Sequence, residues 1–590
     1  MQQADLIIKS QTIFNGDGSQ PFAGGVAIKG DTIIAVGPDW VIDRYCGEGT
    51  EVRDYGDRLV MPGFNDSHAH FTYGAFLEDP DFCIGIWDTD SFEECMAKVK
   101  TFADSHPDNE WVFAPHVLQF KWAKPEMPTA AEIDAYISDR PVVLQQLDFH
   151  TLSANTMALE KAGITRDTPN PIDGVIYHDE NGEPTGVFSN GATFLFTKDI
   201  YSPSKEVGKA VYARTVERFN SLGITALANL FPEGTGYDDP FEILDEMDAA
   251  GELNLRFNIV TGLEYTYDAE SIAAEKAKHD DPARNVRWRG LKAIIDGVCS
   301  DHTAWMLEPY SNDPTTCGLP AMDPEVLRQR MLAACEAGYP VRIHAIGDRG
   351  IRFVLDVHEE AQQLYGKKGL RHVIEHDETV QPEDINRYAE LGVLPAMQPM
   401  HMIFDLADKA KDDAVGDLRA SYSWPMKTLL DAGAVVSLGT DFPIVGPEPL
   451  PGIYGAVTRQ LADGTPEEGW YADERLTLAE ALKCYTYNSA YTEYAEDEYG
   501  LLKAGMKADL IVLDRNLFAV EPHEYLEAEV ILTLFGGKAK PSPLGKVPAK
   551  QGDEVLIHCA QRLCRDIGPQ DNMKETVFFW KRVYAESPRE

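Results

Sequence analysis

Two histidines separated by one residue, His68 and His70, follow a β-rich run that ends in a Pro-Gly turn. In an extended strand, residues i and i+2 point to the same face, so both imidazoles can be aimed at one point. Neutral imidazole is a common ligand of transition metals, and the pair therefore indicates a metal site. A His-x-His pair is a weak signal by itself, so its meaning depends on the rest of the chain.

Short buried strands recur along the middle of the chain, and most are followed by the periodicity of an amphipathic helix. Eight β/α units in series predict an α/β fold, namely a (β/α)8 TIM barrel. The predicted barrel strands are residues 59–64, 225–229, 256–260, 291–296, 341–344, 372–376, 394–398 and 435–441.

Residues with metal-binding or catalytic chemistry lie at the ends of these strands. Lys292 and Asp296 lie on the fourth strand, His344 ends the fifth, His376 the sixth and Asp441 the eighth. Each has a structural alternative: a hydrogen-bonded core histidine, a turn-capping aspartate, or a lysine that reaches solvent. Barrel enzymes carry their chemistry at the carboxyl ends of the strands, so the joint placement favours one shared site.

The β-rich segments at the two ends of the chain predict a small composite domain. Alternating apolar residues and Gly-Asp turns indicate a β-sandwich built from residues 1–60 and 500–540. The barrel then covers residues 61–499, with an insertion at about 77–210 after its first strand. Residues 541–590 form a C-terminal extension to which the sequence assigns no role.

Composition excludes several classes of function. The formal net charge of −43 argues against nucleic-acid binding, because an acidic surface repels phosphate. We expect no membrane helix, since no run of eighteen apolar residues occurs, and the first residues lack the pattern of a signal peptide. The nine cysteines include no C-x-x-C pair, which favours reduced thiols and a cytoplasmic location.

Five sequence motifs include the candidate residues. They are MPGFNDSHAH at 61–70, LKAIIDG at 291–297, IHAIGDR at 343–349, IEH at 374–376 and LGTDFP at 438–443. With these motifs the chain resembles the amidohydrolase superfamily, more narrowly its YtcJ-like or amidohydrolase-3 group, which includes N-substituted formamide deformylases. The resemblance extends over about residues 4–540.

The resemblance implies a binuclear metal centre, usually of zinc. His68, His70 and Asp441 would bind one ion, and His344 and His376 the other. Lys292 would bridge both ions as a carbamate formed with carbon dioxide. A metal-activated hydroxide would then cleave the substrate, with Asp441 as general base and afterwards general acid.

The substrate is less constrained. His150, His302, Asp296 and Trp122 are candidate substrate-binding residues, and each has an equally simple structural explanation. We predict hydrolysis of a linear non-peptide C–N bond in a small amide, for example an N-substituted formamide. The alternatives are a cyclic amidohydrolase or a deaminase that uses the same site, and a non-catalytic scaffold. From the resemblance alone, a homodimer is the expected assembly.

Overall fold

The computed structural model describes residues 2–86, 89–146, 151–171, 174–196, 200–232, 237, 239–263 and 269–540. Within them the backbone divides into two compact units. The first consists of residues 2–70, Val216–Phe231 and 247–540, and the second of Phe71–Thr215 and Pro232–Glu246. His150 and the predicted extension 541–590 lie outside the described residues. None of the helices in the described ranges is both long and apolar enough to span a bilayer.

The predicted α/β barrel is confirmed. Eight parallel strands form one sheet in the first unit, and each strand pairs with the next one along the chain. In chain order the barrel strands are Phe64–Ala69, Ile224–Leu230, Arg256–Gly262, Val286–Ile294, Val341–Ala345, Val373–His376, Leu394–Met397 and Ser437–Leu438.

Backbone hydrogen bonds join the first and last barrel strands. The amide of Asp441 donates to the carbonyl of His68, and the amide of His70 donates to the carbonyl of Phe442, both at 2.7 Å. The same bonds fix the relative positions of three candidate ligands. The barrel is therefore nearly closed at the place where its candidate chemistry lies.

The first barrel strand lies further along the chain than predicted. The predicted strand 59–64 is divided at Gly63: Leu59–Pro62 pairs with Leu510–Leu513 outside the barrel, and Phe64–Ala69 enters it. A Cβ atom at Gly63 would lie 2.3 Å from Oγ1 of Thr225, so only glycine fits where the chain passes between the two sheets. The apolar residues at 59–64 predict a single strand, so the sequence pattern does not indicate this division.

Helices connect successive barrel strands and end where the sequence supplies caps. Before Pro324–Ala337, for example, Asp323 accepts hydrogen bonds from two backbone amides, and Gly338 ends the helix with a φ of 85°. The helices from the second barrel strand onward are Glu242–Ala249, Ala269–Lys278, Pro324–Ala337, Asp348–Tyr365, Ile385–Leu391, Pro399–Asp408, Ala410–Val415, Asp417–Ala420, Met426–Asp431, Pro449–Thr458, Leu478–Lys483 and Ser489–Thr492.

Both ends of the chain contribute to one eight-stranded sheet, also in the first unit. Alternate residues such as Ile8, Val60 and Val512 share one apolar core, as the alternating sequence pattern predicts. The strands are Leu6–Ile13, Phe22–Lys29, Thr32–Gly37, Glu51–Asp54, Leu59–Pro62, Leu510–Leu513, Val530–Phe535 and Lys538–Ala539, and the helix Asp39–Ile42 follows the third of them.

The second unit has its own five-stranded sheet and its own core. Its strands are Val112–Val117, Val142–Gln146, Thr151–Ala154, Gly174–His178 and Pro184–Asn190. Its helices are Phe71–Glu78, Phe92–Ser105, Ala130–Asp134 and Thr156–Lys161, and Lys205–Ser221 leads from this unit into the second barrel strand.

A polar network fills the barrel near the amino ends of its strands. Glu493 is fully buried and accepts hydrogen bonds from Nδ2 of Asn65 at 3.0 Å and of Asn258 at 2.9 Å. The Arg342 guanidinium lies 3.7 Å from its other oxygen. Burial raises the pKa of Glu493 to about 7 despite these partners.

Replacing Glu493 by glutamine should stabilise the protein more at pH 8 than at pH 4.5. The folded wild-type carboxyl keeps its proton up to about pH 7, whereas the unfolded one loses it near 4.5. Its contribution to stability is therefore complete below pH 4.5 and lost as the pH rises to 7. The Gln variant avoids that loss, which is worth about 3 kcal/mol in the free energy of unfolding. Urea unfolding across this pH range measures the difference, and Glu467→Gln, at an exposed carboxylate, should show none.

Candidate metal centre

His68 and His70 reach the carboxyl end of the barrel from its first strand. His68 lies within Phe64–Ala69, and His70 directly follows it. Asp66, on the same strand, accepts from the amides of His68 at 3.0 Å and Thr440 at 2.9 Å, and from the hydroxyl of Thr440. Asp66 thus ties the first strand to the segment that carries Asp441.

The Nδ1 atoms of His68 and His70 already have hydrogen-bond partners. Nδ1 of His70 lies 2.9 Å from the carbonyl oxygen of Leu230, which can only accept, so Nδ1 must carry the proton. Nδ1 of His68 lies 2.7 Å from the Glu375 carboxylate, and the same inference holds. In the neutral form of such a ring, Nε2 is then left with an unshared electron pair.

Those two Nε2 atoms face a carboxylate oxygen. Oδ1 of Asp441 lies 3.2 Å from Nε2 of His68 and 3.1 Å from Nε2 of His70. Burial alone would raise the pKa of Asp441, but His68 and His70 hold it well below its usual range. Two neutral imidazole nitrogens and a carboxylate oxygen that converge on one point repel each other unless a proton or a metal cation lies between them. The donor set therefore fits a divalent metal ion.

His376 and His344 continue the cluster from the sixth and fifth barrel strands. The ring of His376 lies 4.9 Å from that of His68 and 4.3 Å from that of His344, measured between centroids. Burial lowers the pKa of His344 to about 3 and that of His376 well below its usual value. Both rings are thus neutral near pH 7, which is the form that ligates metals.

Three buried atoms of this cluster make no hydrogen bond within the described residues: Nδ1 of His376, Nε2 of His401 and Oδ1 of Asp441. His376 and Asp441 also have left-handed backbones, with φ of 77° and 66°. Unsatisfied buried groups and such conformations each cost free energy and concentrate at functional sites. Both features favour a functional role for this cluster, and metal binding by His376 and Asp441 stays a prediction.

Lys292 lies on the fourth barrel strand and is 1% exposed. Burial is the main cause that lowers the pKa values of His70, His344 and His376, and the positive charge of Lys292 lowers them further. The Lys292 side chain therefore belongs to the same cluster. A charged ammonium in this position opposes binding of a metal cation. The lysine must therefore lose its charge or be modified if a metal binds.

A buried ion pair between Arg342 and Glu375 holds the His68 ring in place. Glu375 accepts from Nε of Arg342 with one oxygen and contacts His68 with the other. Arg342 also donates to the carbonyl of Ser67. Burial alone would raise the pKa of Glu375, but Arg342 and His68 hold it far below its usual range. Such outer partners fix the tautomer and orientation of a ligating histidine.

Two further predicted residues follow the fourth strand. Asp296 accepts hydrogen bonds from the amides of Trp305, Ile346 and Gly347 at 2.8–3.0 Å, and an oxygen of it lies 3.8 Å from Nε2 of His344. This pattern favours a structural role for Asp296, which holds the backbone at Trp305 and at residues 346–347 and lies beside His344. Nε2 of His302 lies 2.7 Å from Oδ1 of Asn312.

Trp122 lies in the second unit, in the apolar core of that unit. Its indole nitrogen donates to Thr89 at 3.3 Å, and its ring packs against Phe92. This placement favours the core interpretation over substrate contact. His150 lies outside the described residues, so its predicted role stays a prediction.

Sequence reasoning missed His401 and Glu378. Nε2 of His401 lies 3.5 Å from Oδ2 of Asp441, and its ring stacks on that of His376. Glu378 lies near His401 and pairs with the buried Lys411 at 2.8 Å. The signal was present, because His401 follows the predicted strand 394–398 and Glu378 comes two residues after His376.

The barrel and its cluster of histidines and carboxylates define the class of metal-dependent hydrolases. A model of the amidohydrolase family matches residues 51–539, so the chain belongs to that family. The chain is 29% identical to protein LONG AFTER FAR-RED 3 of Arabidopsis thaliana over 552 residues, 91% of each chain. It is 25% identical to the N-substituted formamide deformylase of Arthrobacter pascens over 548 residues, 91% of this chain and 98% of that protein.

The fold also matches solved structures. The crystal structure of an uncharacterized metal-dependent hydrolase from Pyrococcus horikoshii OT3 superposes with a TM-score of 0.72 at 26% identity. The match covers 88% of this chain and 99% of that one. The likeness therefore includes nearly the whole of the solved hydrolase.

Proposed function

We propose that this chain hydrolyses a linear, non-peptide C–N bond in a small amide, with N-substituted formamides as the first substrate class to test. The observation that carries the proposal is the convergence of Nε2 of His68 and of His70 on Oδ1 of Asp441, while both Nδ1 atoms are engaged elsewhere. The likeness to a formamide deformylase along nearly its full length supports the substrate class.

Two divalent ions, with zinc the expected metal, would be held by the cluster. His68, His70 and Asp441 would hold one ion, and His344 and His376 the other. Such ions lower the pKa of water and polarise a carbonyl group, which is the chemistry that amide hydrolysis needs. Four imidazoles and an ionised carboxylate supply the donors.

Lys292 would bridge the ions as a carbamate. The ammonium first loses one proton, and addition of the neutral amine to carbon dioxide then forms a nitrogen–carbon bond and releases a second proton. The cation thereby becomes an anion with two oxygens. This change replaces a buried positive charge among histidines by a ligand. The positive charge of Lys292 lowers the pKa values of His70, His344 and His376, and the removal of this charge is the reason to expect the carbamate.

Asp441 would move the proton. Its pKa lies well below the usual range, so it is ionised at neutral pH and can accept a proton from the attacking water. Once protonated, it can deliver that proton to the leaving nitrogen. Hydrogen bonds from its own amide to His68 and from that of His70 to Phe442 hold it in place for both transfers.

Metal content is the decisive measurement for this proposal. Protein produced with zinc and bicarbonate and then dialysed should contain two ions per chain by mass spectrometry. One ion would remove the bridging role from Lys292, and no tightly bound metal would favour the non-catalytic scaffold. A substrate panel then separates linear amides from cyclic amides and aminated heterocycles, which the alternative reactions of the same site would consume.

A further inference from the structure

A second cluster of metal-binding residues lies at the opposite ends of the barrel strands. Cys335 belongs to the helix Pro324–Ala337, His358 to the helix Asp348–Tyr365, and His372 directly precedes the sixth barrel strand. Their exposed fractions are 3%, 0% and 6%. One potential ligand atom from each lies within 4.8 Å of the others.

Hydrogen bonding explains two of these residues. The amide of Val341 donates to Nδ1 of His372 at 3.2 Å, so the proton of the neutral ring sits on Nε2. That Nε2 lies 3.7 Å from Sγ of Cys335, a distance at which the N–H can donate weakly to sulfur. His372 and Cys335 could therefore be an ordinary polar pair in the core.

His358 is not explained in this way. Its ring stacks on that of His372 with centroids 4.1 Å apart, and within the described residues neither of its nitrogens has a hydrogen-bond partner. A buried polar group left unsatisfied destabilises the fold. Burial also lowers the pKa of His358 well below its usual value, so the ring is neutral and offers an electron pair. A bound ligand would satisfy it.

We propose that Cys335 and His358 bind one Cu(I) ion, with His372 as a positioning residue that donates its Nε2–H to the Cys335 sulfur. Binding forms a sulfur–copper bond and a nitrogen–copper bond, and it releases the thiol proton of Cys335 to solvent. No electron is transferred. The site is separate from the candidate metal centre, since it lies at the amino end of the strand whose carboxyl end carries His376.

Charge and ligand type favour Cu(I) over a divalent ion. Thiolate and imidazole are donors that select Cu(I) and Zn²⁺. One thiolate with Cu(I) is electrically neutral, whereas the same ligands with Zn²⁺ leave a buried positive charge. Burial raises the pKa of the Cys335 thiol to about 12, and the positive charge of Lys368 opposes that rise. A positive neighbour further disfavours excess positive charge at the site. Cu(I) also accepts fewer ligands than zinc, and this cluster offers few.

Copper titration tests the proposal. The reduced, full-length protein is first loaded with zinc and then titrated anaerobically with Cu(I) against the chromophoric chelator bicinchoninate. Wild-type protein should take one equivalent that Cys335→Ala does not take, and His358→Phe should bind it at least tenfold more weakly. Cys484→Ala is the matched control: this thiol is also fully buried, but its contact is the amide of Asn488, so binding should be unchanged.

X-ray absorption at the copper edge of loaded wild-type protein makes the test independent of how the variants fold. One sulfur neighbour and one nitrogen neighbour, with one proton released per ion, are the expected results. Equal copper uptake by wild type and Cys335→Ala would overturn the proposal. So would the absence of a sulfur neighbour, or displacement of the copper by equimolar zinc.

Discussion

Replacing Asp441 by asparagine is expected to lower kcat for the best amide substrate by about 10²–10⁴-fold, the usual loss when a general acid–base group is removed. The asparagine keeps nearly the same size but carries no negative charge and cannot accept the proton. Because the pKa of Asp441 lies well below its usual range, the wild-type carboxylate is ionised throughout the working pH range, and the loss should appear at every pH above 5.

The variant must be distinguished from one that has merely lost metal. Metal content and the melting temperature are therefore measured on the same preparation, and kcat is normalised to metal. Asp431→Asn serves as control, because that carboxylate is 64% exposed and pairs with Lys427 on the surface. Surface pairs contribute little, so its activity should match wild type. An Asp441→Asn enzyme with full metal and kcat within threefold of wild type would remove the proton-transfer role.

Much of the candidate centre could be predicted because the barrel converts order in the sequence into proximity in space. Parallel strands in chain order bring their carboxyl ends to one rim, so His68, His344, His376 and Asp441 meet although they are far apart in the chain. Strand periodicity and the residue type at each strand end were sufficient for this inference.

Other features depend on packing that sequence patterns do not record. His401 lies on the helix Pro399–Asp408 rather than on a strand, and only the turn of that helix aims its ring at Asp441. The division of the first predicted strand depends on the space beside Gly63. Cys335 and His358 belong to two helices, whose mutual rotation is set by their apolar faces.

Buried charge connects the two ends of the barrel. Arg342 lies between Glu375, which contacts His68, and Glu493, which belongs to the network near the amino ends of the strands. Burying the charges of Arg342 and Glu375 is tolerable because they pair with each other. The orientation of His68 therefore depends on residues that would never touch substrate.

Substitutions of Lys292 can distinguish a bridging carbamate from a purely electrostatic role of this lysine. Lys292→Met removes the nitrogen that would carry the carbamate, and we expect the metal content to fall from two ions to one. Activity should fall by at least about 100-fold, the upper end of the loss for residues that only support ligands. Lys292→Glu restores an anionic carboxylate at the same position and should retain more metal than Lys292→Met.

Lys292→Arg completes the comparison, because arginine keeps the positive charge but forms no carbamate under these conditions. If a positive charge were what the site needs, Lys292→Arg would be the most active variant and Lys292→Glu the least. The bridging role predicts the reverse order for metal content. Native mass spectrometry of wild-type protein in bicarbonate should also show the added mass of one carbon dioxide, which acid treatment removes. Since Lys292 is 1% exposed, that adduct would be protected from solvent in the folded protein and lost on unfolding.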